Sequence, residues 1–426
     1  MAQAPPQTKG PENSIVIRNR KELIFLLSEA ATLEHMIMCQ YLFVSFALKR
    51  ETSEGVTVEQ LNAINRWDQT IVTVAEQEML HLSLANNLLT AIGAAPFFGR
   101  PNFPLRSRYF PSRVRLALMP LDELSLSYFL YLERPESIAI ENVPGFVKEE
   151  LTVDPEAVVP VGQEFATVGQ LYRGIEAGLE YLVKKYGEEK IFIGSSAAQA
   201  TQEQFGWPEL VAVKDMASAR KAIETIVTEG EGARGDWKNS HFGRFLGILN
   251  EYRELKKSDP KFEPSRPVIA AFARPPPDTD ANVELIDDRF TAEVSDLFNG
   301  SYQVLLQMLS RFFLQVETTG DELQTLSNAS VLMMLGVIKP LGRLLTSLPV
   351  GPHRPTLTAG PVFEMYPMSH LLPRRRAAWI ILNERLVELR SHSFELGSRT
   401  PVSNILLAVA DSLDQLAKRY EELTLA

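Results

Sequence analysis

A Glu-x-x-His pair within an apolar helical stretch constrains the fold of this chain more than any other feature. The stretch AEQEMLHLSLANNLLTAIGAAP covers residues 75–96 and carries Glu78 and His81 three positions apart. Residues i and i+3 lie on one face of an α-helix, and leucines crowd both sides of this pair. A buried carboxylate is costly unless it is paired or bound to a metal ion. The core must therefore supply a partner for this pair.

Apolar residues recur with helical spacing in four long segments of the first 260 residues, at 21–49, 57–92, 167–186 and 217–257. Thr57 and Gln60 form the capping-box signature at the start of the second segment. Prolines break the period between residues 95 and 165, which predicts a long crossover with short helices such as 121–133. The glycines of EGEGARGD, residues 229–236, interrupt the fourth segment.

Two helix pairs joined by one long crossover are the connection pattern of a ferritin-like four-helix bundle. We find almost no alternating strand pattern, so the predicted fold class is mainly α. Helical periodicity returns after residue 290, which predicts a C-terminal helical region. The predicted organisation is a flexible tail at 1–20, a metal-binding bundle at 21–260 with its crossover at 95–165, a linker at 261–289 and a C-terminal helical domain at 290–426.

Composition excludes several classes of function. The 426-residue chain has a formal net charge of −10, which argues against a nucleic-acid partner. Its single cysteine, Cys39, rules out an internal disulfide and fits a reducing compartment. The N-terminus has no apolar signal region, and no uninterrupted apolar run approaches the roughly 18 residues of a membrane span. We therefore expect a cytoplasmic protein without a membrane partner.

Bundles of this type hold two metal ions with one Glu from each of two helices and a Glu-x-x-His from each of the other two. Glu34, among apolar neighbours on the first helix, and the pair Glu78 and His81 fill the first half of that pattern. Glu176 is the candidate on the third helix, and Glu180 competes with it.

The fourth helix has no Glu-x-x-His. His241 is its candidate imidazole ligand, and the glycine break can fold Glu231 back towards the site. Glu229 remains the alternative to Glu231. Fewer ligands would still permit a site for one ion.

Four motifs together resemble the ferritin-like proteins of the iminophenyl-pyruvate dimer synthase type. They are EQEMLHLSLANNLLTAIGAAP, TVGQLYRGIEAGL, EGEG with the later SHFGRF, and TAGPVFE. The same domain occurs in the violacein-pathway enzyme that acts on an indole-pyruvate imine. Matched residue by residue, the resemblance implies the metal ligands Glu34, Glu78, His81, Glu176, Glu231 and His241. The family often has Gln at the position of Glu229, which favours Glu231.

Carboxylate ligands with two imidazoles suit iron or manganese. We expect two iron ions, with manganese as the alternative. Tyr41 lies two turns after Glu34 and Tyr172 one turn before Glu176, so both are candidates for hydrogen bonding to a ligand or for redox chemistry. The alternative for both is packing in the core with a partner for the hydroxyl.

The leading hypothesis is an oxidoreductase of specialised metabolism. It would use O2 or peroxide to oxidise or couple a small amino-acid-derived substrate, and a homo-oligomer is an open alternative to a monomer. The competing hypotheses are an iron-handling ferroxidase and a helical scaffold with a vestigial metal site.

Overall fold

The computed structural model describes residues 15–106, 115–136, 138, 163, 165–232, 237–276, 283–314, 319–366, 371, 374–399 and 403–425. Most of the expected flexible tail and the middle of the expected crossover lie outside these residues. Within them, helices dominate, and the predicted mainly α class is confirmed.

The helices before residue 260 match the predicted segments. They are α1 Arg20–Ala47, α2 Val58–Ala91, α3 Glu123–Leu132, α4 Val168–Tyr186, α5 Glu188–Ile191, α6 Gln202–Phe205, α7 Met216–Gly230 and α8 His241–Ser258. Short 3-10 turns occupy Thr52–Glu54 and Ser196–Ala198. The Thr57 side chain accepts from the Gln60 backbone N–H, so the predicted capping box at the start of α2 is confirmed.

The helices after residue 288 lie in the predicted C-terminal helical region. They are α9 Arg289–Leu314, α10 Gly320–Leu332, α11 Lys339–Leu345, α12 Arg375–Gly397 and α13 Ser403–Leu425, with a π-helical turn at Met333–Ile338 between α10 and α11.

Within the described part of the chain, five short strands lie in segments that show no clear strand pattern in the sequence. They are β1 Leu105–Arg106, β2 Arg115–Leu116, β3 Val268–Phe272, β4 Glu284–Leu285 and β5 Thr358–Gly360. β1 pairs antiparallel with β2, while β3 is the central strand of a parallel sheet between β4 and β5. β3 falls inside the predicted linker, and β5 opens the TAGPVFE motif. Both segments are too short to show a recognisable alternation of apolar and polar residues.

Helix α1 lies at the centre of the molecule. On one side it packs against α2 and α4, and on the other it contacts α11 and β5. It also contacts α9 where His35 and Cys39 meet Tyr302. Apolar residues of both the predicted bundle and the predicted C-terminal domain belong to one continuous buried core. The division into two domains stays a prediction, because no boundary has been tested.

By length and composition, one helical stretch among the described residues, Gly320–Leu345, could cross a membrane. Half of its most apolar window is buried inside the protein, and core helices of soluble proteins meet the same criteria. It is weak evidence for a span, and the expected absence of a membrane partner stays a prediction.

Three helix ends meet the middle of α1 and α2. Helix α3 is capped by Glu133, α7 is capped by Glu231, and α8 begins at His241. A helix end can direct one side chain inward without burying the charged residues of a whole helical face. The packing of these ends determines which polar side chains reach the core.

Candidate metal centre

Glu78 lies between two histidines in the core. One of its carboxylate oxygens is 3.1 Å from His81 Nδ1, and the other is 2.9 Å from His241 Nδ1. All three side chains are at most 2% exposed. The two imidazole rings stack with their centroids 5.5 Å apart. The Glu78 carboxylate therefore faces both imidazoles at once, one with each oxygen.

Two groups of potential metal ligands share Glu78. The first contains Glu34, Glu78 and His81, and the second contains Glu78, Glu133 and His241; within each group the ligand atoms lie within 4.8 Å of one another. Every member is buried. The structure thus brings together four of the six predicted ligands and adds Glu133.

Glu133 is the functional candidate that the sequence reasoning missed. Its Oε2 lies 3.4 Å from His241 Nδ1, although it belongs to the crossover rather than to a long bundle helix. The available signal was the predicted short helix at 121–133, which ends in an acid after an apolar run. The ligand pattern of ferritin-like bundles takes its residues from the four long helices, so it does not include an acid at the end of a short crossover helix.

Both predicted tyrosines donate hydrogen bonds to candidate ligands. The Tyr172 hydroxyl donates to Glu34 Oε1 at 2.7 Å, and the Tyr41 hydroxyl donates to Glu133 Oε1. Neither ring is exposed. These bonds orient the two carboxylates, because a bond to one oxygen fixes the direction of the other.

The glycine break separates the roles of Glu229 and Glu231. Glu229 Oε2 lies 2.9 Å from His81 Nε2, so this carboxylate contacts the cluster directly. Glu231 Oε1 instead accepts from the Gly169 backbone N–H at 2.8 Å, in the first turn of α4. Glu231 still lines the small cavity beside the cluster. Of the two acids left open by the sequence, Glu229 therefore lies nearer to the cluster.

Glu176 lies apart from the cluster. Its side chain is 32% exposed and pairs with Arg220 at 3.4 Å, as the neighbouring Glu180 does at 2.6 Å. The expected third-helix ligand is therefore not brought to the site by α4, which presents Tyr172 to it instead. Glu176 and Tyr172 are four residues apart on α4, but Tyr172 is buried in the core and Glu176 is partly exposed at the surface.

Two carboxylates of the cluster, Glu34 and Glu133, are poorly compensated. At Glu78, by contrast, His241 and His81 outweigh the effect of burial and lower its pKa. Burial, and then repulsion from Glu78, raises the pKa of Glu34 well above its usual range and also raises the pKa of Glu133. Burial opposes the charged form of His241, but attraction to Glu78 and Glu133 outweighs it and raises its pKa to about 9. The same balance raises the pKa of His81, chiefly through Glu78. The buried site thus attracts positive charge.

The residues fit a metal centre by a second observation. His241 is fully buried, and neither ring nitrogen has a hydrogen bond of good geometry to the described residues, although Nδ1 lies close to two carboxylates. His241 Nδ1 lies close to carboxylate oxygens but is not aligned for a hydrogen bond with them. Two atoms that bind the same metal ion have this arrangement. Carboxylates with two imidazoles are donors suited to iron and manganese.

A small cavity adjoins the cluster between α4 and α7. Glu34, Glu78, His81 and Glu133 line it on one side. The first turn of α4 and the last turn of α7 line it on the other, at Val168–Gly169 and Ile226–Val227. The cavity therefore has one polar wall, formed by the cluster, and one apolar wall.

Two characterised proteins are similar to this chain. Dichlorochromopyrrolate synthase of Lentzea aerocolonigenes is 27% identical over 95% of this chain. The 2-imino-3-(indol-3-yl)propanoate dimerase of Chromobacterium violaceum is 28% identical over 82% of it. The matches span 41% and 34% of the lengths of those relatives.

The crystal structure of a ferritin-like protein from Caulobacter vibrioides aligns with 73% of this chain and 96% of that protein, with a TM-score of 0.47 and 18% identity. The family model described as Ferritin-like matches residues 27–250, just over half of the chain. The matched segment contains every residue of the cluster, from Glu34 on α1 to His241 on α8. The chain therefore belongs to the Ferritin-like family.

Proposed function

We propose that this protein is a dinuclear metal oxidoreductase, most simply a di-iron enzyme, that oxidises or couples a small amino-acid-derived substrate in specialised metabolism with O2 or peroxide. The observation that carries the proposal is the buried pair of ligand groups that share Glu78. The names of the two relatives, a synthase and a dimerase of an imino acid, support the substrate class.

Five side chains would hold the ions: Glu34, Glu78, His81, Glu133 and His241. Glu229 contacts the ring nitrogen of His81 opposite the one that faces Glu78. Glu78 belongs to both ligand groups, so its loss would affect both of them. When bound, such a pair of ions supplies oxidising power drawn from O2 or peroxide.

The surrounding residues hold the ligand side chains in position. Tyr172 and Tyr41 hold Glu34 and Glu133 through their hydroxyl groups. Ile37 and Ile226 line the adjoining cavity, whose volume of about 10 Å³ is close to that needed for one water molecule.

The first experiment measures metal content in protein purified from iron-supplemented cells. We expect about two ions per chain in the wild type, as in other dinuclear bundles, and clearly fewer in His81→Ala. The matched control is His353→Ala, because His353 is exposed and lies outside the cluster. Absence of stoichiometric metal from the wild type would overturn the proposal and favour a scaffold with a vestigial site.

The second experiment measures O2 consumption by the loaded protein. Aromatic 2-imino acids, generated in situ from the amino acids, are the first substrates to test because of the name of the dimerase. We expect product formation that requires both the metal and His81. Oxidation of added ferrous ion without turnover of any organic substrate would instead favour a ferroxidase.

A further inference from the structure

A second polar cluster lies on the other face of α1. The turn that presents Glu34 to the metal centre continues directly into His35, whose Nε2 contacts the Tyr302 hydroxyl of α9. The Cys39 thiol, one turn further along α1, lies 3.3 Å from the same hydroxyl. His35 and Cys39 are fully buried, and Tyr302 is 2% exposed. None of these residues belongs to the metal-ligand groups.

Arg100 lies beside this cluster and donates to the Phe363 carbonyl. The Tyr302 hydroxyl can donate to His35 Nε2 when the imidazole carries its own proton on Nδ1. An imidazole nitrogen is a stronger acceptor than the Cys39 thiol, so His35 is the acceptor for the phenolic proton.

We propose that Tyr302, His35 and Cys39 form an electron relay that carries one oxidising equivalent from the metal centre to Cys39 when no substrate is bound. The inference rests on the proposed function, because the one-electron oxidant is generated at the metal centre from O2 or peroxide. The path from Glu34 at the metal centre to Tyr302 runs mostly through covalent bonds. Glu34 and His35 are neighbours in the chain, and one hydrogen bond joins His35 to Tyr302.

The steps balance as follows. Tyr302 gives one electron to the oxidant at the metal centre and its phenolic proton to His35 Nε2, which leaves a neutral tyrosyl radical and an imidazolium. A hydrogen atom then passes from Cys39 Sγ to the Tyr302 oxygen. That transfer restores the phenol and leaves a thiyl radical on Cys39.

A purely structural role for the cluster predicts a different result. Hydrogen bonds between α1 and α9 would stabilise the fold, and their loss would lower the melting temperature without any change in radical chemistry. The test therefore detects the radical directly. The matched control is Tyr420→Phe, because Tyr420 is also fully buried but its hydroxyl has no hydrogen-bond partner among the described residues.

The experiment mixes anaerobic, ferrous-loaded protein with O2 or peroxide in the absence of substrate, and follows freeze-quenched samples by electron paramagnetic resonance. We expect a radical in the wild type whose hyperfine splitting narrows when the protein contains ring-deuterated tyrosine. The signal should be lost in Tyr302→Phe, retained in Tyr420→Phe, and longer-lived as a tyrosyl radical in Cys39→Ser. Mass spectrometry should find increased oxidation of His81 and His241 in Tyr302→Phe after repeated exposure.

Metal content and O2 consumption are measured on the same samples. Protein that binds no iron contradicts the proposed function and the relay together. Protein that binds iron and consumes O2, but forms no radical or forms the same radical in Tyr302→Phe, overturns the relay alone. Thermal unfolding of each variant establishes that the chain is folded.

Discussion

At the scale of single residues, the depth of a carboxylate in the core decides its chemistry. Glu133 is 4% exposed and contacts His241, whereas Glu176 is about one-third exposed and pairs with Arg220. A surface ion pair is screened by water and contributes little energy. A buried carboxylate needs a cation or a directed hydrogen bond. The two acids are therefore predicted to respond differently to removal.

Glu133→Ala should weaken metal binding, and Glu176→Ala should leave it unchanged. Loss of a residue that merely supports a ligand typically costs about 10–100-fold in metal affinity, and loss of a ligand should cost at least that. Competition with a chromophoric chelator measures the affinity of both variants. Unchanged affinity in Glu133→Ala, with weakened affinity in Glu176→Ala, would favour the ligand set taken from the sequence motifs.

At the scale of secondary-structure elements, the first turn of α4 approaches the end of α7 closely. A Cβ atom at Gly169 would lie 2.4 Å from the Glu231 carboxylate, so any side chain there would displace that carboxylate. The Glu231 carboxylate satisfies the Gly169 N–H at the start of the helix, where an anion is favoured. The junction thereby sets one wall of the cavity.

Gly169→Ala should lower the free energy of unfolding by about 1–3 kcal/mol, because the added methyl group displaces Glu231. Gly247→Ala is the matched control, since Gly247 lies inside α8 and a Cβ there meets no atom within 4 Å. It should stabilise the protein by about 0.5–1 kcal/mol through helix propensity. Chemical denaturation measures both changes, and equal effects of the two substitutions would contradict the close approach.

A buried ion pair joins α10 to α12. Glu322 is 2% exposed and accepts hydrogen bonds from Arg375 and from the Trp379 indole. Burial opposes its ionisation, but the Thr319 backbone N–H and these two side chains outweigh that cost and lower its pKa. A lowered pKa in the folded state means that the charge stabilises the fold.

Glu322→Gln should therefore reduce stability by about 1–3 kcal/mol at neutral pH. The difference from the wild type should be fully present above the ordinary Glu pKa of about 4.3. It should disappear as the pH falls through the lowered pKa of the folded state, because the wild-type side chain then becomes neutral as well. Urea titrations at several pH values test the trend, and a difference that persists at the lowest pH would contradict it.

At the scale of the whole molecule, α1 belongs to both halves of the chain. Phe43 packs so closely against Gly360 of β5 that a Cβ there would lie 2.2 Å from its ring, and Phe46 packs in the same way against Gly342 of α11. Both phenylalanines lie on the helix that carries Glu34. We therefore expect the helices before residue 260 and the C-terminal region to unfold together.

Phe43→Ala should cost about 3–5 kcal/mol, as large core truncations do, and should lower one common transition of the chain. Phe394→Ala is the control, because Phe394 is 61% exposed and its loss should change stability by less than about 0.5 kcal/mol. Differential scanning calorimetry measures the transitions. Two separate transitions, with only one shifted by Phe43→Ala, would instead favour independent domains.

The sequence by itself determined the helices and half of the site. Periodicity and capping placed α1, α2, α4, α7 and α8 close to their observed limits, because these signals act within a few turns of one helix. The same local reasoning found Glu34, Glu78 and His81, since an inward acid on an apolar helix is visible without any knowledge of its partners.

Only the tertiary structure decided the rest of the site. Glu133 joins the cluster, and Glu229 rather than Glu231 contacts His81, because the ends of α3 and α7 pack against α1 and α2 in a particular register. Glu176 points away because α4 turns Tyr172 to the core. Contacts between elements far apart in the chain depend on packing in three dimensions, which no local periodicity encodes.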